Sequence, residues 1–545
     1  MSNWAKMSRL VLAETCRPLP KISLVPMNGR RRETAEDQQY VFLRKNNLRD
    51  RKKFGNVNES YAKQKLGHFY LATRLFIFIL QLLFNGRNFS TDAFKGVVLK
   101  SEEYTRIDLA IQSCFQGFTQ WDAAHMLHNA EHGYVLESSL AFFPLFPLTV
   151  RYLSYWAFPL IFFDMAHWSS IHLLTAVGLN VIFGYYSCMF LFDAVKSVAR
   201  SAKQAHISTI LFTVNPASVF FTSAYSESMY TMLTICGIAN LTKKSENIWS
   251  GYFSSIGCFA LAYLTRSNGL INFGYIGFYC LLNALFINSG NGSRPSSKFL
   301  LHTKGCNILI TQTVLFIAQL AIALFVIAGP VSVYGYIEQQ YFCDRESLAT
   351  VSDELKSLAA AIEVDRAGQL EKLTWCSSSN IIFPSFYSTI QSKYWHVSLF
   401  GYWQIQKIPC FLLAAPAFAI IVIGVFQLVS DIQKYQFIQY LADGGEMIPY
   451  TLHAGFLGLG ALFFYNSEVL TRMLFSSTLF PYLVLSRWMS DLTPQVCHSD
   501  LLEPEHMPFF SYFALRGRLE KAVFFYFMGY LVLGTTSHVM GLPFT

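Results

Sequence analysis

A dozen predominantly apolar stretches recur along this chain, near 69–86, 140–163, 168–192, 206–223, 226–242, 252–265, 268–287, 308–334, 408–430, 449–466, 470–488 and 520–540. About 20 apolar residues in a helix rise through the ~30 Å hydrocarbon core of a bilayer. In lipid, only helices and closed barrels satisfy every backbone N–H and C=O, and the two-residue alternation of barrel strands is missing here. The sequence therefore predicts an all-α polytopic membrane protein with a bundle of about 10–12 transmembrane helices. Charged residues make up 14% of the chain, against about 25% in soluble domains. That deficit is too large for one water-facing surface.

Charge sets the expected orientation. Residues 1–66 hold fifteen Lys/Arg and six acids, an excess of nine over a whole-chain net charge of +8, so the remainder is close to neutral. A basic tail can bind nucleic acid. Beside a first span it marks the cytosolic side and favours anionic membrane lipids, so no nucleic-acid partner is expected. The first long apolar run starts near Phe69, too late for a cleaved signal. Residues 1–66 are thus expected as a cytosolic, disordered basic extension, with 67–545 as the membrane domain.

On that orientation 87–139 forms a first lumenal loop and 335–407 a second, larger one, each with short helices. The stretch 288–305, with Arg294, Lys298 and Lys304 and no acid, suits the cytosol. This scheme needs an odd number of crossings between 140 and 287, where six apolar runs lie. One of them does not cross, and a half-inserted pair around 226–287 is the expected exception. Lumenal placement permits a disulfide between Cys343 and Cys376. Asn88 is the one N-x-S/T site expected in the lumen. No C-x-x-C pair occurs among the eleven cysteines, so zinc and redox motifs find no support.

Titratable residues cluster in "WDAAHMLHNAEHGYVLESSLAFFPLFP", 121–147. Asp122 can serve as a general base toward a sugar hydroxyl, and Trp121 offers a flat face to a sugar ring. Glu131 and Glu137 are reserve acids. Asp122 also reads as the N-cap of a short helix that ends at Gly133. His125, His128 and His132 share one face of that helix. No zinc spacing matches, so no metal is expected.

Farther on, Glu227 in "NPASVFFTSAYSESMY" and Arg266 in "YLTRSNGLINFG" are ionisable groups inside apolar sequence, which marks them as functional candidates. Arg suits a phosphate headgroup, while a mutual ion pair is the structural alternative. The second loop ends in an aromatic-rich stretch with Trp375, Tyr394 and Trp395. These suit an interfacial belt or stacking on a glycan, with Gln391 and Gln404 as hydrogen-bonding groups for its hydroxyls.

Taken together, "QWDAAHMLHNAEHGYVLESSLAFFPLFP", "NPASVFFTSAYSESMY", "LTRSNG", the 375–418 block and "LHAGFLGLGALFFYNSEVLTRMLFSS" resemble the PIG-V family, also called the GPI mannosyltransferase 2 family. The blocks run in order from about residue 69 to 490. The resemblance implies an endoplasmic-reticulum, GT-C-like glycosyltransferase with a lumenal active site. It implies dolichyl-phosphate mannose as a donor substrate, with no cofactor. It also implies a mannosylated glucosaminyl-phosphatidylinositol acceptor, which would receive a second mannose in α1,6 linkage. Asp122 matches the acid that such enzymes place in the first lumenal loop, and Arg266 would contact the donor phosphate. The resemblance leaves room for a small accessory membrane subunit. The 66-residue basic extension and the histidine-rich helix depart from the family pattern. A lipid transporter or scramblase, or another dolichol-dependent transferase, is the competing reading. A transporter predicts internal repeats, and none is visible.

Overall fold

The computed structural model describes residues 35–87, 89, 104–157, 166–243, 248–285, 306–344, 351–369, 371–377, 383–442, 444–492 and 518–542. The segment 1–34, Asn88 and the stretch 288–305 lie outside the described residues. Among the described residues the chain is helical, and its only β pairing is one antiparallel bridge between Leu136 and Arg366.

The helices are α1 (Ala35–Phe84), α2 (Arg106–Phe115), α3 (Asp122–His132), α4 (Leu145–Ala157), α5 (Trp168–Ala199), α6 (Ala202–Thr213) and α7 (Glu227–Thr242). They continue as α8 (Ile248–Thr265), α9 (Phe273–Leu285), α10 (Cys306–Phe342), α11 (Asp353–Ala361), α12 (Ser385–Trp395) and α13 (Ile408–Tyr435). The last are α14 (Phe437–Ala442), α15 (Ile448–Phe463), α16 (Val469–Ser477), α17 (Phe480–Leu492), α18 (Arg518–Gly529) and α19 (Thr535–Val539). Helix α1 crosses the 66/67 boundary without a break.

Five segments are long and apolar enough to cross a membrane: Glu59–Phe84, Trp168–Ala199, Ile310–Phe342, Ile405–Tyr435 and Lys521–Val539. The run read as one span at 470–488 is two helices, α16 and α17, bent by 77°. Thr478 and Leu479 separate them, and Pro481 follows at the start of α17. Counted as one broken span they make a sixth. The reading of 10–12 spans exceeds this because several apolar runs form shorter helices. α6 has 12 residues and α7 has 16, or about 18–24 Å at 1.5 Å per residue. α6 ends and α7 begins inside the bundle, at the site.

Within 140–163 the described helix is also short. α4 has 13 residues, about 20 Å long, and it stays with the short helices of the first loop. Its Arg151 lies beside Gly133, and its Ser154 donates to Thr175 Oγ1 (2.9 Å), two turns into α5. The entry to α5 is tied to that same end, where Asp108 accepts the His167 N–H at 2.8 Å. Pro144 stops the apolar run from continuing as one helix from residue 140.

Ion pairs gather at the opposite end of the bundle. They are Lys63–Asp193 (2.5 Å), Lys196–Glu59 (2.5 Å), Arg200–Glu446 (2.9 Å) and Arg487–Asp431, the last through both guanidinium nitrogens. Most are half-exposed and contribute at most about 1 kcal/mol each. Their value is in register: they tie α1 to α5 and α13 to α17.

Candidate functional site

The site begins where α6 stops. Pro216 has no N–H to continue the helix, and the Asn215 side chain takes over by accepting from Ala217 N at 2.8 Å. Residues 214–226 then run as wholly buried backbone, irregular except for one 3-10 turn at Ser218–Phe221. Irregular backbone at membrane depth is tolerated only where protein satisfies it. Two buried side chains do so. Arg74 on α1 donates to Thr213 O (2.7 Å) and Ser218 O (2.8 Å). Asn180 on α5 donates to Ser223 O and to Tyr225 O (2.8 Å). This brace delivers Tyr225, Ser226 and Glu227 to one spot.

Four charges meet there. Arg266, just past α8, donates to Glu227 Oε1 at 2.6 Å and to Ser226 Oγ at 3.2 Å. Arg472, from α16, donates Nη1 to Asp122 Oδ2 at 2.7 Å. Its Nε lies 3.2 Å from the same Glu227 oxygen, an ion-pair contact rather than a directed hydrogen bond. The order is Asp122, Arg472, Glu227, Arg266, with signs alternating. Glu227 is fully buried, whereas the Asp122 side chain is 23% exposed. Of the two carboxylates, Asp122 is thus the one that solvent can reach. The Arg472 guanidinium also lies over the rings of Phe220 (5.3 Å) and Tyr225 (5.6 Å).

Asp122 is the first residue of α3 and does not act as its side-chain cap. The cap position belongs to Trp121, whose φ is +56°. A non-glycine residue in that region costs about 1–3 kcal/mol. This turn lets the Asp122 side chain face Arg472. The Trp121 Nε1–H is buried with no hydrogen-bond partner among the described residues. The Tyr225 hydroxyl donates to Gln120 O (3.1 Å), which ties the loop before α7 to the start of α3. The helix ends at Gly133, φ +78°, as the sequence predicts. Burial raises the Asp122 pKa, but the charge and hydrogen bond of Arg472, with smaller help from His125 and Arg266, hold it below the ordinary value of 3.8.

The histidine face packs rather than opens. His125 stacks on Phe142 with centroids 4.7 Å apart, and His128 meets His132 at 5.0 Å. Burial pushes His125 down to about 4 against the pull of Asp122, and His128 to about 3. Among the described residues no group of three or more His, Cys, Asp or Glu can hold a metal ion.

The reserve acids stand elsewhere. Glu131 lies nine residues along α3 from Asp122, about 13 Å away by helix rise. It faces His167 at 4.0 Å instead. Glu137 is fully buried and both its oxygens are occupied. Trp375 Nε1 donates to one (2.7 Å), and Lys393 Nζ (2.5 Å) and the Tyr394 hydroxyl (2.8 Å) donate to the other. Lys393 also reaches Asp365 at 2.5 Å. The backbone bonds of Glu137 N to Asp365 O (2.8 Å) and Ala367 N to Val135 O (3.0 Å) complete the junction. Glu137 is therefore an anchor for the second loop, with both carboxylate oxygens engaged. Trp375 and Tyr394 spend their polar atoms on this anchor, and the buried Trp375 offers no open stacking face. The Cys343–Cys376 disulfide forms, with Cα atoms 5.7 Å apart, one residue from Trp375.

That anchoring lays α12 beside the charges. The Tyr387 hydroxyl bonds Ser267 Oγ at 2.6 Å, next to Arg266, and Gln391 lies by the same hydroxyl. Trp395 packs on Phe142 (5.8 Å) and His125 (6.2 Å). Gln391 and Trp395 thus rim the site. Gln404 does not: it is exposed and bonds only its own turn, at Gly401 O, 3.4 Å.

Arg472 and Lys393 escaped the sequence reading. Arg472 carried a usable signal, a cation inside "EVLTRMLF", of the same kind that singles out Arg266.

A family model described as Mannosyltransferase (PIG-V) matches residues 63–545. Similar proteins include a GPI mannosyltransferase of Caenorhabditis elegans, 29% identical, covering 87% of this chain and 80% of that one. The GPI alpha-1,6-mannosyltransferase 2 of Rattus norvegicus is 28% identical, covering 89% of this chain and 99% of its own length. The Homo sapiens protein of that name is 27% identical, over 79% and 85%.

Proposed function

The chain belongs to the PIG-V mannosyltransferase family, and from that premise we propose that Asp122 is the general base of an α1,6-mannosyl transfer onto a glycosylphosphatidylinositol precursor. The observation that carries the reading is the charge cluster itself. A partly exposed carboxylate sits beside two guanidiniums that a buried Glu227 anchors.

The donor is dolichyl-phosphate mannose and the acceptor a mannosylated glucosaminyl-phosphatidylinositol. Asp122 takes the proton of the acceptor's 6-hydroxyl. The hydroxyl oxygen forms a bond to C1 of the mannose, and the C1–O bond to phosphate breaks with its electron pair on the phosphate. Attack from the face opposite the phosphate inverts a β-linked donor to an α product. Arg266 and Arg472 are the cations near enough to take up charge on the leaving phosphate, whose oxygens suit their forks. Preorganised cations in a site shielded from water lower the barrier without reorganising. The charge count favours this arrangement. Asp122 becomes neutral as the phosphate gains a charge, so the cluster's total is unchanged. The leaving group is a lipid phosphate rather than a nucleotide, so the reaction calls for no cofactor.

The reading places the site in the endoplasmic-reticulum lumen and the amino end in the cytosol. The basic excess of residues 1–66, which favours the cytosolic side and anionic membrane lipids, supports it. Trp121, Gln391 and Trp395 line the approach of the glycan. A small accessory membrane subunit would meet the outer faces of the bundle. The test is product analysis: the purified full-length chain, given polyprenyl-phosphate mannose and the one-mannose acceptor, yields a two-mannose product sensitive to an α1,6-mannosidase. Transfer to another position, or none from this donor, would refute it.

A further inference from the structure

At rest the candidate base is masked. Asp122 Oδ2 accepts from Arg472 Nη1 at 2.7 Å, and a carboxylate in such a pair is a weak proton acceptor. The other groups facing it are His125 on its own helix, Arg266 from the end of α8, and Tyr225 with Glu227 at the start of α7. Of these only Arg472 is hydrogen-bonded to the carboxylate.

Arg472 has somewhere to go. Its Nε lies 3.2 Å from Glu227 Oε1, which already takes Arg266. Neither Arg472 Nε nor Glu227 Oε2 has a hydrogen-bond partner among the described residues. A buried carboxylate oxygen with nothing on it is costly and awaits a donor. The two aromatic rings over the guanidinium can hold it through a small rotation.

We propose that Arg472 is shared between Asp122 and the donor's phosphate, so that arrival of the donor unmasks the base. This rests on the lipid-phosphate donor proposed above. The phosphate draws Nη1 off Asp122 while Glu227 keeps the guanidinium in the site. Asp122 is then left with the field of the phosphate in place of that of a cation, and its basicity rises. The consequence is ordered binding: the acceptor hydroxyl meets a competent base only when the donor is in place. Hydrolysis of a donor by stray water is not prevented by this device, but proton abstraction without donor is.

Carbodiimide labels protonated carboxyl groups, and one pKa unit is a tenfold change in that fraction. The purified full chain is labelled at pH 6 alone, with a short-chain polyprenyl phosphate, and with inorganic phosphate, and Asp122 is quantified by mass spectrometry. Thermal stabilisation by each ligand is read in parallel. The proposal expects lipid phosphate to speed Asp122 labelling at least tenfold while Glu131 labelling stays constant. Inorganic phosphate alone giving the same effect would assign the site to the phosphate group rather than the lipid. In Arg472→Gln, labelling is fast without ligand and no longer responds. Stabilisation by lipid phosphate with unchanged Asp122 labelling in the native protein overturns the sharing of Arg472 and spares the donor assignment. Failure of lipid phosphate to bind at all overturns both.

Discussion

Substituting Glu137 by Gln separates an anchor from a catalyst. Three donors converge on its carboxylate at 2.7, 2.5 and 2.8 Å. Gln keeps one acceptor, which Trp375 can retain. It sets an NH2 group against the Lys393 ammonium, where no bond can form, and against the Tyr394 hydroxyl, where the charge-assisted bond to a carboxylate is replaced at best by a weaker one donated by the amide. The Lys393 side chain is 37% exposed, so its bond counts as a screened pair of about 1 kcal/mol or less. The Tyr394 bond to a buried carboxylate is worth about 1–2 kcal/mol. A loss of about 2 kcal/mol raises the detached population of the second loop roughly thirtyfold. The assay is limited trypsin digestion of the folded, disulfide-intact protein, following cleavage after Arg366 and Lys372. The expected result is cleavage about thirtyfold faster in Glu137→Gln, with activity falling in step and partly recovered at lower temperature. If activity fell by a factor of about 10²–10⁴, the size of a lost general base, while the cleavage rate stayed at the native value, the anchor assignment would be wrong.

Gly269 approaches the last turn of α8 so closely that an added Cβ would lie 2.4 Å from Tyr263 Cα. Gly269→Ala should cost about 1–3 kcal/mol, displace the adjacent Arg266 from Glu227 and cut activity more than tenfold, as a thermal melt and a transfer assay would show. Cys343→Ser releases a crosslink spanning 33 residues, worth about 3–4 kcal/mol in chain entropy; proteolysis of the second loop should accelerate without loss of the bundle's helical signal. The Asp122 pKa is lower folded than unfolded. Its pair with Arg472 therefore stabilises above the ordinary aspartate range and is lost as pH falls through the lower, folded value. Thermal melts between pH 7 and pH 3.5 should show a smaller loss of stability on acidification in Asp122→Asn than in the native protein.

Much of this architecture was legible because lipid imposes a crude rule. Runs of apolar residues announce helices, and the disulfide followed from assigning 335–407 to an oxidising compartment. Glu227 and Arg266 stood out because ionisable groups in apolar sequence need a reason, and they do pair. In the run 140–163 apolarity did not fix helix length: the described helix there, α4, has 13 residues. Arg472 and Asp122 stand 350 residues apart, and nothing local joins them. Glu137 invited a catalytic reading through its nearness to Asp122 in the chain. Its role follows from Trp375, Lys393 and Tyr394, more than 230 residues onward, and from a loop docking that no periodicity records. The aromatic-rich block was read by composition, which cannot tell a ring that stacks on a sugar from one whose N–H or O–H is already committed.

The most direct test of the central claim is complementation of cells lacking the second GPI mannosyltransferase with the intact chain or with Asp122→Asn, at matched expression, scoring surface GPI-anchored protein and the accumulated precursor. The account predicts that the intact chain restores the surface signal. The Asn form should leave the one-mannose precursor in place, with in vitro turnover lower by a factor of about 10²–10⁴ and binding of the lipid-phosphate donor retained. Full restoration by Asp122→Asn would contradict it.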